Sequence, residues 1–96
     1  MKNHWDFFCH RNRFRRLVVE FESNLGRLEQ LTVEALTAEE PKRREITIGM
    51  RSRMERQEEL LASLREYGNL CEEWTFHRLL DRHEKVGDAI FELERL

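Results

Sequence analysis

Ninety-six residues, 38% of them charged and 40% apolar, make one domain at most and exclude a separate catalytic subdomain. Four glycines, one proline and so many charges argue against a sheet protein and for solvated amphipathic helices. A net charge of only −2 excludes a global field drawing the chain to nucleic acid or anionic lipid, so any such binding falls to a local block.

The first element follows from the spacing of Phe14, Val18, Phe21, Leu25, Leu28, Thr32 and Ala35, which step by three and four as one stripe of a helix does. We place this helix at about residues 4–37, roughly 51 Å long at 1.5 Å per residue. Its upstream turn, Trp5, Phe7, Phe8 and Cys9, is apolar nearly all round and predicts contacts on more than one side. Thr37-Ala38-Glu39-Glu40-Pro41 is the clearest break, because proline biases Glu40 away from the α region and Thr-x-x-Glu has the form of a capping box.

A second helix is expected over about 41–67. A rival start near 52 exists, since Glu45-Ile46-Thr47-Ile48-Gly49 alternates like a strand and Ser52-Arg53-Met54-Glu55 is another capping box. Met50, Met54, Gln57, Leu60, Leu61, Leu64, Tyr67, Cys71 and Trp74 form a face broad enough for two neighbours. Gly68-Asn69 interrupts it as a C′ glycine followed by a cap, so a third helix is placed at about 70–95, with a break nearer Thr75 as the alternative. In this last helix Phe76, His83 and Ile90 alternate with Leu79, Val86 and Leu93 as a heptad seam with one polar member.

Charge alternates in blocks along the chain. Residues 1–19 carry +4, residues 20–40 carry −5, residues 41–57 carry +4 and residues 58–75 carry −4. The first two helices are thus basic at the N-terminal end and acidic at the C-terminal end, opposite to what the helix dipole prefers, which points to pairing between helices. Folding at residue 39 or 40 brings together residues whose numbers sum to about 79: Trp5 with Trp74, Val18 with Leu61 and Leu25 with Met54, acidic block along basic block. An antiparallel homodimer of the first helix would satisfy the same pattern between chains. Exposed pairs of this kind contribute about 0–1 kcal/mol each, so they select register more than they stabilise.

Few residues suggest chemistry. His83 occupies a seam position where a neutral imidazole must find a partner, and it is read as a polar core residue or a pH-sensitive contact. Arg78-Leu-Leu-Asp-Arg-His83 resembles the Arg-x4-His spacing of HEPN ribonucleases, which would imply that Arg78 and His83 handle a 2′-hydroxyl and a scissile phosphate. Leu79, His83, Val86, Gly87, Asp88 and Ile90 resemble the groove-binding helix of apoptosis regulators, which would imply docking into a partner's apolar groove. Cys71, His77 and His83 are six residues apart and point around a helix, while His4, Cys9 and His10 lack i,i+4 geometry, so no metal is expected. Cys9 and Cys71 are too few for a disulfide framework and fall on different faces. With no charged-then-apolar leader and no 18-residue apolar run, the expected setting is cytoplasmic, without a transmembrane segment.

The expected fold class is therefore all-α: one long antiparallel helical hairpin with a third helix packed back on it, as a three-helix bundle or a coiled-coil-like arrangement. The expected function is a non-enzymatic protein-interaction module, an adaptor, small chaperone or assembly subunit, without cofactor and self-associating as a homodimer. The candidate contact residues are Trp5, Phe7, Phe8, Arg13, Arg15, Arg16, Ile46, Ile48, Leu80, Phe91 and Leu96. The alternative is nucleic-acid binding or regulation through the basic and aromatic segment 7–16, in which arginines neutralise phosphates and aromatics stack on bases.

Overall fold

The computed structural model describes residues 4–68 and 74–96, with the side chains of residues 4–8, 74 and 75 outside that description. It contains α1 (His4–Thr37), α2 (Lys42–Arg65) and α3 (Trp74–Arg95), and no strand among the described residues. Its extents are 58 × 20 × 16 Å, so the length of α1 sets the length of the bundle.

Pairs across the helices fix their directions. Glu20 meets Arg56, Phe21 and Asn24 meet Gln57, and His10 meets Tyr67, so α1 and α2 run antiparallel within three residues of the predicted register. Phe14 lies beside Phe76 and Glu29 beside Arg82, which makes α3 parallel to α1. The predicted Trp5–Trp74 level lies outside the described side chains.

The expected stripes form the core. Phe14, Phe21, Leu25, Leu28 and Ala35 of α1 face Met50, Leu60, Leu61 and Leu64 of α2 and Phe76, Leu79, Val86, Ile90 and Leu93 of α3, all buried. Each fully buried side chain of this size contributes about 1.5–3 kcal/mol relative to exposure. The broad face of α2 packs against both neighbours, as its width predicts.

The turn between α1 and α2 departs from the expected capping. The Thr37 hydroxyl donates to the carbonyls of Val33 and Glu34 in its own helix, and α2 starts behind Pro41 without a side-chain cap. Pro41 supplies the first turn without needing a donor, as proline does at helix starts. The Arg43 guanidinium instead ties the turn, donating to the Ala38 carbonyl at 2.9 Å. The rival start near 52 is excluded, since Ile46, Thr47 and Ile48 are helical; Thr47 is buried, with its hydroxyl on the Arg44 carbonyl at 2.9 Å. At the other end of α2 the last turn tightens through Tyr67 N–H to the Leu64 carbonyl, and Gly68 takes φ +51°, a left-handed conformation that favours glycine. The predicted start of the third helix near 70 falls outside the described residues, and α3 is described from Trp74.

Candidate interaction surface

Two polar side chains enter the core at one level, and both touch Phe21. Gln57 is fully buried: its amide nitrogen donates to the Phe21 carbonyl at 3.1 Å, and its oxygen accepts from Asn24 Nδ2 at 2.9 Å. Asn24 in turn donates to the Arg53 carbonyl and accepts from Arg53 Nη1, each at 3.1 Å. Four α2–α1 hydrogen bonds thereby run from the core to the surface. His83 enters from α3 with its ring 5.4 Å from the Phe21 ring, and its Nε2 donates to Glu58 Oε1 at 3.2 Å. Its Nδ1 is buried without a hydrogen-bond partner among the described residues. His83 is thus buried, with one ring nitrogen hydrogen-bonded.

Outside the core, among the described residues, an arginine–carboxylate pair spans each pair of helices: two are bidentate forks, Arg82–Glu29 and Arg51–Glu94, while Arg56 reaches both oxygens of Glu20 from the single nitrogen Nη2. Arg56 holds Glu20 across α2 and α1, Arg82 holds Glu29 across α3 and α1, and Arg51 holds Glu94 across α2 and α3. Hydrogen bonding to its arginine holds the carboxyl of Glu29, and likewise that of Glu94, below the usual carboxylate range. The acidic block of α1 therefore serves several partners and does not zip to α2 alone: Glu29 turns to α3, and Glu34 lies 3.7 Å from Arg27 of its own helix. The fork is the geometry in which arginine and carboxylate fit best, and it specifies orientation as well as attraction.

The candidate contact residues divide. Ile46 and Leu80 are partly buried against the core, so their apolar surface is largely used within the chain. Ile48 and Leu96 are 65% and 73% exposed and line one groove with Pro41, Arg44, Thr47 and Leu93, between the α1–α2 turn and the end of α3. Phe91 is 55% exposed and stands apart from that groove, with the Arg95 guanidinium 5.5 Å from its ring centre. Arg13, Arg15 and Arg16 are exposed on α1, while the side chains of Trp5, Phe7 and Phe8 lie outside the description. Sequence reading missed that Arg16 shares a groove with Arg27, Arg53 and Arg56, because these four arginines come from three different charge blocks and only the hairpin register assembles them. It also missed Val19, Val33 and Leu36, all more than 60% exposed on α1. Their signal was available: they are apolar positions off the core stripe.

The chemical resemblances do not assemble into sites. His83 is buried against Phe21 while Arg78 is exposed, so the two do not converge on one phosphate. Leu79, Val86 and Ile90 are buried in the chain's own core, leaving no apolar face of α3 to enter a partner's groove as the apoptosis-regulator resemblance implies. Among the described residues no group of three or more His, Cys, Asp and Glu is placed to hold a metal ion, and no helix is long and apolar enough to cross a membrane. Cys9 is a free thiol, and Cys71 lies outside the description.

No family model matches the chain, nor does any curated protein or solved structure.

Proposed function

We propose that this bundle is a non-enzymatic protein-interaction module, an adaptor, small chaperone or assembly subunit of the cytoplasm, that self-associates. The observation carrying this reading is the contrast between a core closed by internal arginine–carboxylate forks and large apolar side chains left outside it. Ile48 and Leu96 share the groove at the turn end, and Val19, Val33 and Leu36 stand on α1. Single exposed apolar residues are ordinary, but groups of them on one face mark contact surfaces.

A second reading has its own observation. The groove of Arg16, Arg27, Arg53 and Arg56, in which Glu20 is the one acid among the described lining residues, concentrates positive charge as a phosphate-tracking surface would. In that reading the protein binds nucleic acid through α1 and α2, with segment 7–16 at one end of the track. The ribonuclease reading through Arg78 and His83 has no comparable support.

Affinity capture from the native source, with and without nuclease, tests the two. Protein capture that survives nuclease and is lost with Ile48→Glu/Leu96→Glu or Val19→Glu supports the interaction module. Capture lost to nuclease and to Arg53→Glu, with steep salt dependence, supports nucleic-acid binding.

A further inference from the structure

Resting on the self-association in that reading, we infer that the outer face of α1 is the homodimer interface, with two α1 helices antiparallel and the two-fold axis at Gly26. Val19, Gly26 and Val33 follow one another at seven-residue intervals, which on an α-helix drift by only about 20° each and so form one line. That line lies opposite the buried Phe14–Phe21–Leu28 stripe. Val19 and Val33 are 64% and 63% exposed, and they are equidistant from Gly26. In the antiparallel arrangement each Val19 faces the partner's Val33, and the two glycines face each other.

Gly26 is the second observation. It sits in the middle of a 34-residue helix, where glycine costs about 0.8–1.0 kcal/mol relative to alanine. Neither its backbone nor its surroundings in the chain require it: its φ is not positive, and a Cβ placed there meets nothing within 4 Å. Close approach of a second helix backbone gives the missing side chain a purpose.

Charge selects the partner and its direction. Arg16 and Glu34 are about five turns apart and so lie on the same flank of the Val19–Gly26–Val33 line. The two-fold axis brings each Arg16 to within about 3 Å, along the axis, of the level of the partner's Glu34. Arg13, Arg15 and Arg16 make no ion pair among the described residues of their own chain, so they are available. A parallel dimer would set the basic half of α1 on basic and the acidic half on acidic. The occupant that this face fits is a second copy of this chain, reversed.

Sedimentation of the full chain over a concentration series tests this, with helicity followed by circular dichroism. Gly26→Leu raises the helix propensity of α1 while blocking the close approach, and we expect it to weaken the dimer at least about tenfold without loss of helicity. Arg16→Glu should weaken it as well, and Arg16→Glu/Glu34→Arg should restore it, because the exchange rebuilds both pairs across the two-fold axis. Dimerisation that persists unchanged in Gly26→Leu and Arg16→Glu overturns the α1 face and leaves self-association to the Ile48/Leu96 end. A wild-type chain that stays monomeric up to about 1 mM, the weakest range of specific association, overturns the interface and the self-association together.

Discussion

Gln57 and His83 break into the same core, at the same phenylalanine, with opposite degrees of satisfaction. Gln57 has its nitrogen on the Phe21 carbonyl and its oxygen on Asn24, which Arg53 holds from two sides. His83 has one hydrogen-bond partner, an exposed glutamate, and one buried nitrogen with none among the described residues. The contrast separates the two seams of the bundle. The α1–α2 seam is specified by a polar network with little freedom to slide, since any slip of register leaves a buried amide unpaired. On the side of α3 the specification comes from shape around Phe21 and from surface forks.

The largest expected effect tests the first half of that contrast. Gln57→Ala removes a fully buried side chain together with both of its hydrogen bonds, and should cost about 2–4 kcal/mol in urea denaturation. For a domain of this size that is a large share of total stability. A cost below about 1 kcal/mol would show that the network is not what holds α2 to α1.

Volume-conserving changes sharpen the comparison. Gln57→Leu keeps the space filled but takes the acceptor from half-buried Asn24, and should cost about 1–2 kcal/mol. His83→Leu removes the unpaired Nδ1, and the only partner it leaves is Glu58, 63% exposed and able to hydrate. It should therefore lie within about 1 kcal/mol of wild type, in either direction. If His83→Leu proves more damaging than Gln57→Leu, the two seams have been assigned in the wrong order.

Much of this architecture was readable from periodicity. The ends of α1, the register near a sum of 79 and the heptad seam of α3 each rest on several residues repeating one spacing, and such redundancy survives local ambiguity. The start of α2 was less legible because the alternating stretch 45–49 and the capping box at Ser52–Glu55 offered a rival to the start behind Pro41, and the long-range packing of Ile46 and Thr47 selects the earlier one. The polar layer was half visible: His83 stood out in an apolar seam, whereas Gln57 passed as a member of a broad face although burial would demand a partner for it. The arginine groove and the forks could not be read from blocks of net charge, since a block fixes which end of a helix is basic but not which neighbour an individual side chain turns to. Val19, Gly26 and Val33 were overlooked for a simpler reason, namely that only the stripe facing the core was traced.

The smallest effect addresses the α3 side through Glu29 and Arg82. The hydrogen bond from Arg82 holds the Glu29 carboxyl below its ordinary value of 4.5, so the ionised form is favoured in the folded state. The contribution of the pair is therefore fully present above pH 4.5 and is lost as pH falls through the depressed folded value, because the unfolded chain then binds the proton first. With both side chains more than a third exposed, solvent screening limits the pair to about 0–1 kcal/mol. Glu29→Gln should lower stability at pH 7 by no more than that, and the difference from wild type should shrink steadily below pH 4.5. If surface forks orient α3, the same substitution in a His83→Leu background should cost more than it does alone, since α3 would then have lost its ties to Glu29 and to Glu58 and kept the Arg51–Glu94 fork. Equal costs in the two backgrounds would mean that shape around Phe21 orients α3 without help from either.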